Sequence, residues 1–148
     1  MKKIYFISLA IILLIGMACK KEKEKSFINT KWKLVGVVDV QSKRQTELEP
    51  KDCSKCYTIK FDTDSTFTGR STSNEMFGYY KIDYTIGGCY FYGQTITEVG
   101  EIGGGYRYTD ILKKIQSFTI KGKHPRTLHL FYNEGKNYME YKEMVLDR

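Results

Sequence analysis

Apolar and polar residues alternate with a period of two along much of the chain, the spacing that puts one face of a β-strand in a core and the other in water. The alternation is densest from Cys56 to Tyr84. There Tyr57, Ile59 and Phe61 alternate with Thr58 and Lys60, and Asp62-Thr63-Asp64-Ser65 supplies the short polar side chains that hold a bend. Thr66 to Thr72 then runs back. After a loop around Ser73-Asn74-Glu75, Gly78 opens a third run in which Tyr80, Ile82 and Tyr84 alternate with Lys81 and Asp83. A three-stranded meander of this kind needs further strands to cover its apolar face.

The rest of the chain supplies them. Thr30 to Val40 predicts a first strand with Trp32, Leu34, Gly36 and Val38 on one face and Trp32 as a core residue; Phe61 is the matching core residue of its own strand. Gln41 to Pro50 reads as a polar loop with Glu47 and Glu49 solvated. Thr85 to Val99 predicts a fourth strand region kinked by glycine, and Glu98 to Gly105 a flexible loop. That loop has neither the Lys-Ser/Thr pair of a phosphate loop nor the framing of a dinucleotide motif. Tyr106 to Gln116 predicts a helix, because Tyr108, Ile111, Leu112 and Ile115 recur at helical spacing, with Thr109 as its candidate cap. Ser117–Lys121, Thr127–Tyr132 and Asn137–Val145 close the chain as strands around turns at Gly122–Pro125 and Asn133–Lys136. The expected fold is all-β: an antiparallel β-barrel-like domain of about seven or eight strands with one short helix.

The amino-terminal segment changes the picture of where the domain lives. Lys2 and Lys3 precede an apolar run from Ile4 to Ile15, then Gly16-Met17-Ala18-Cys19. The run is short of the roughly 20 residues of a membrane span and has the layout of a secretory signal. It resembles the signal of bacterial lipoproteins. That resemblance implies removal of residues 1–18, lipidation of Cys19 and a lipid-anchored place in the cell envelope, at the periplasmic or surface face of the outer membrane. Lys20 to Lys25, KKEKEK, reads with Cys19 as a charged tether, leaving residues 26–148 as one domain. The formal net charge of +7 is partly an effect of leader and tether. From Ser26 onward there are 18 Lys and Arg against 15 Asp and Glu, and no basic stretch interleaved with aromatics marks nucleic acid as a partner.

Cys53-Ser54-Lys55-Cys56 has CxxC spacing but precedes a strand, so a structural disulfide in an exported protein fits it better than redox catalysis. Pairing Cys53 with Cys56 leaves Cys89 a free thiol; the competing pairing joins Cys89 to one of them. His124 and His129 lie too far along the chain from the CxxC for the usual zinc spacing, so neither metal nor cofactor is expected. No catalytic residue is assigned. Glu98 and Glu101 read as solvated loop acids. Tyr79, Tyr90, Tyr92, Tyr106 and Tyr108 cluster around the glycine-rich segments and are the candidate ligand-binding residues.

Several stretches together resemble the lipocalin-like and META-domain families of bacterial envelope lipoproteins. They are TKWKLVGV, FDTDSTFTG, GYYKIDY, TEVGE before a helix, and TLHLFYNEGKNYMEYK, spanning Phe27 to Lys142. The resemblance implies a β-barrel-like domain with a helix packed at one end and no agreed enzymatic activity. The expected function is binding of a small apolar or amphipathic ligand within a membrane-anchored lipoprotein. The alternative is a filled barrel that serves as a structural or protein-interaction module among envelope proteins.

Overall fold

The computed structural model describes residues 26–145; the expected leader over 1–18, the expected lipidation at Cys19 and the expected tether over 19–25 lie outside the described residues. The described chain runs β1 (Thr30–Asp39), β2 (Gln45–Thr46), β3 (Thr58–Phe61), β4 (Thr66–Arg70), β5 (Glu75–Asp83), β6 (Gly88–Ile96), helix α1 (Gly105–Leu112), β7 (Ser117–Lys121), β8 (Thr127–Tyr132) and β9 (Asn137–Met144). Each strand pairs antiparallel with its neighbours, and β1 also pairs with β9 from Lys31↔Met144 to Asp39↔Asn137, so the sheet closes into a ring. Closure gives both partners of the long first and last strands a full ladder of hydrogen bonds. The joint between β6 and β7 is the thinnest, a single registered pair at Gly88↔Ser117. The connection between those two strands carries α1, whose Tyr108, Ile111 and Leu112, with Ile115 beyond it, enter the same core as the strands.

The inward residues form one cluster. Trp32, Ile59, Phe61, Phe67, Leu128, Leu130, Met139 and Tyr141 are each fully buried, and Phe27, just ahead of β1, packs on Phe61 with ring centroids 4.6 Å apart. The period-two reading of β3 holds: Tyr57, Ile59 and Phe61 are in the core. In β1 the parity changes partway. A register shift between Leu34 and Gly36 inserts an extra residue, so Val35 faces out, Val37 enters the core cluster and Val38 is buried outside it. The bulge lies where β2 crosses β1, and a Cβ on Gly36 would lie 2.9 Å from Gln45 Cγ. β2 itself, two residues within the expected polar loop, has too little pattern to be read from sequence.

The helix is shorter than its apolar spacing predicts, ending at Leu112, yet all four residues of the expected apolar face are buried. Thr109 is not its cap: Gly104 occupies that position, and the Thr109 hydroxyl donates to Tyr106 O from inside the helix.

Candidate functional site

Two outward-facing rows of side chains cross the strands at right angles, because antiparallel register sets opposite residues side by side on one face. One row reads Met144, Lys31, Lys60, Thr68, Phe77, Thr95 from β9 to β6. The next reads Lys142, Lys33, Thr58, Arg70, Glu75 from β9 to β5. Between the longer side chains at either end lies a recess of about 840 Å³. Thr58, Thr68 and Gly69 are among its lining residues, and a Cβ on Gly69 would lie 2.6 Å from Thr58 O and 2.9 Å from Met76 Cε, so glycine there permits close packing of the strands beneath it. The Cys53–Cys56 loop overhangs this face, which is why outward-pointing Thr58 is buried and why Ser54 and Lys55 reach the recess wall.

That loop is held from three directions. Cys53 and Cys56 are joined by a disulfide with Cα atoms 5.4 Å apart. Lys33 Nζ donates to Cys53 O at 2.6 Å and also to Cys56 O, and lies 5.7 Å from the Tyr57 ring centroid. Desolvation by burial pushes the Lys33 ammonium below the ordinary lysine range. The Tyr57 hydroxyl donates to Glu49 O and accepts from Gly104 N at 3.2 Å, tying the loop to the start of α1. Cys89 is a free, buried thiol, and burial pushes its pKa up.

The glycine-rich segment before α1 differs from the flexible, solvated loop its composition predicts. Ser71 and Thr72 hydroxyls donate to the Glu101 carboxylate, and Ser73 N donates to it at 3.2 Å. Buried Asn74 donates to Val99 O at 2.6 Å and accepts from Val99 N at 2.8 Å. A Cβ on Gly105 would collide with the Glu101 carboxylate, so glycine there permits the close approach. Burial pushes the Glu101 carboxyl up, but the hydrogen bonds from Ser71, Thr72, Asn74 and Ser73 outweigh it and hold the group below the ordinary range. Glu98 stays exposed, so the two acids serve different purposes. Removing the charged acceptor with Glu101→Gln is expected to cost about 1–3 kcal/mol. The pKa is depressed in the fold, so this stability is present above the unfolded value of 4.5 and is lost as pH falls through the lower folded value. Urea midpoints of the parent and Glu101→Gln from neutral pH downward measure it: the gap between them narrows in acid.

The five candidate tyrosines do not gather around one opening. Tyr108 is fully buried, donates to Thr58 O at 3.2 Å and accepts from the Tyr141 hydroxyl at 3.2 Å, so it is a core residue. Tyr79, Tyr90 and Tyr92 are half-exposed on the outer face of β5 and β6, with Tyr79 stacked on Tyr92 at 5.7 Å, and Tyr106 is exposed on α1. The strand parity that sends Tyr80 and Phe91 inward sends these side chains outward. The two histidines are likewise separate. His124 pairs with Glu143 at 2.9 Å, while His129 stacks on Tyr138 and pairs with Glu140 at 3.2 Å. Burial pushes the His129 pKa down, Lys121 adds to this and Glu140 opposes it. Among the described residues no group of three His, Cys, Asp or Glu side chains is placed to hold a metal ion.

The recess residues Lys31, Lys55, Lys60 and Arg70 were not candidates on sequence grounds. The available signal was that Lys31, Lys60 and Arg70 all stand on the polar parity of successive strands.

Similarity to known proteins bears on the whole domain. The chain is 28% identical over 147 residues to a Tannerella forsythia protein named "Putative lipoprotein", with 95% of each chain covered. The similarity to that protein extends along nearly the full length of the chain. No family model matches the chain. Among solved structures, an NMR structure of a Burkholderia xenovorans protein superposes with a TM-score of 0.66 at 17% identity, covering 81% of this chain and 85% of that one. The crystal structure of a DUF4847 family protein from Bacteroides vulgatus superposes with a TM-score of 0.60 at 18% identity, covering 84% and 99%. These two likenesses concern the fold alone.

Proposed function

We propose that the protein is a lipid-anchored, non-catalytic module of the bacterial cell envelope that meets its partner on the outside of the barrel. The lipid on Cys19 ties it to the membrane, by the lipoprotein signal and the lipoprotein-like relative. The single observation that carries the reading is the occupied interior: Trp32, Phe61, Phe67, Tyr108 and Tyr141 fill the space where a lipocalin-like carrier would hold an apolar ligand. The lipocalin-like and META-like motifs then mark the scaffold, and the function shifts from carrying a small ligand to contacting an envelope protein.

Two measurements on the full chain test this. Mass spectrometry of the membrane fraction is expected to find an acylated Cys19, and Cys19→Ala is expected to release the protein from membranes; an intact, unlipidated amino terminus would sink the anchor. Titration with the apolar fluorophore N-phenyl-1-naphthylamine is expected to give no saturable binding and no change in Trp32 emission. One-to-one binding that perturbs Trp32 would restore the carrier reading.

A further inference from the structure

The register of β9, β1 and β3 contains an arrangement that works against folding. Lys31 on β1 lies directly opposite Lys60 on β3, and Lys33 on β1 directly opposite Lys142 on β9. Like charges at opposed positions on one face of a sheet destabilise it. With Lys55 from the overhanging loop and Arg70 from β4, the two rows and that loop set six cations on this face, of which Lys31, Lys55, Lys60 and Arg70 line the recess. Among the described residues Glu75 in the row and Asp62 beside it are the acids that answer them. Asp62 engages Lys60 at 2.6 Å and Glu75 lies 3.7 Å from Arg70, while among the described residues Lys31 and Lys55 make no ion pair. A domain whose excess positive charge is small has therefore concentrated it on one face, around a recess. Local conflicts of this sort are expected where a surface is shaped for a partner.

We propose that this recess binds an extended acidic segment of an envelope protein, whose carboxylates relieve the Lys31–Lys60 repulsion. The inference rests on the reading of the chain as a surface-binding module. The shape favours a polypeptide. From β9 to β6 the first row crosses five strand spacings, about 24 Å, which is the length of about seven extended residues. Thr95 lines the recess with an exposed hydroxyl able to meet a peptide backbone, the Thr68 hydroxyl, which donates to Asp62, can still accept, and Phe77 and Met144 offer apolar contact at its two ends. A bilayer surface is too flat to enter it. Cationic complementarity of this kind acts first on association rate and weakens as salt rises.

The test uses the full-length lipidated protein in neutral detergent and a fluorescein-labelled peptide of alternating glutamate and phenylalanine. One-to-one binding is expected at low salt, weakening as salt is added. Lys31→Glu should weaken it roughly tenfold, and Lys123→Glu, on the β7–β8 turn, should leave it unchanged. In the absence of peptide Lys31→Glu should raise the denaturation midpoint, because it replaces the repulsion across from Lys60 with attraction. Absence of binding at low salt would overturn the proposal, as would equal losses for Lys31→Glu and Lys123→Glu, which would mean a diffuse charge effect. Binding of phosphatidylglycerol vesicles by the Cys19→Ala full chain, dependent on Lys31 and without peptide binding, would also overturn it by assigning the recess to lipid. None of these results alters the fluorophore titration, so the surface-binding reading and this inference fail separately.

Discussion

Trp32→Ala is expected to destabilise the domain by about 3–5 kcal/mol, read as a fall in the denaturant midpoint. Trp32 has no solvent exposure. Its indole Nε1 donates to Thr30 Oγ1 at 2.8 Å, the Arg126 guanidinium lies 5.4 Å from the ring centroid, and the Phe27 ring is 6.3 Å away. Truncation removes the largest buried apolar surface of β1 and leaves a space that the surrounding aromatics, fixed by their own strands, fill only in part. Val35→Ala, three residues along the same strand but on the outward side of the bulge, is expected to stay within about 0.5 kcal/mol of the parent. A midpoint for Trp32→Ala no lower than that of Val35→Ala would show the register of β1 to be wrong.

The second large effect is expected at Glu143. Its carboxylate receives Arg126 Nη2 at 2.7 Å, Arg126 Nε at 2.9 Å and Arg126 N at 2.9 Å, with both side chains less than a tenth exposed. Burial pushes the Glu143 carboxyl up, but the hydrogen bonds and charge of Arg126, helped by His124, outweigh it and hold the group below the ordinary range. Glu143→Leu removes the carboxylate that accepts from the buried guanidinium and from Arg126 N and should cost about 3–5 kcal/mol, whereas the double replacement Arg126→Met with Glu143→Leu should recover much of the loss. The sign with pH follows from the depressed pKa. The pair's contribution is whole above the unfolded value of 4.5 and is lost as pH falls through the lower folded value. Urea melts from neutral pH into acid should show the parent losing stability below that value and the double variant losing less. Equal acid sensitivity in both would remove Glu143 from the account. Because Arg126 faces Trp32, the effects of Trp32→Ala and the Arg126 replacement should not add.

The ion pair also says something about how the barrel ends are built. Arg126 Nη1 donates to Ser26 O at 3.2 Å, so the point where the chain enters the domain is fastened to the β7–β8 turn and to β9 through one guanidinium. β1, which follows that entry point, shares with β9 the longest ladder in the ring.

Local pattern by itself determined the class of the fold, most of the strands, and the inward residues of β3, α1 and β8. A period of two or of 3.6 needs only near neighbours in the chain to be expressed. Ile59 and Phe61, Tyr108 and Leu112, Leu128 and Leu130 all lie where their spacing places them. The tertiary structure decided what depends on distant segments. The bulge after Leu34 arises from fitting β1 against β9 and β2 at once, and it moves Val37 into the core in place of Val38. Glu101 turns from a solvated acid into the centre of a knot because Ser71 and Thr72 come to it across the sheet end. The tyrosines that crowd one region of the sequence divide between core and outer surface, since parity and not proximity sets the direction of a strand side chain. The opposition of Lys33 and Lys142 is the extreme case. Register couples residues from the two ends of the domain, and no local periodicity carries information about which residue will stand across from which.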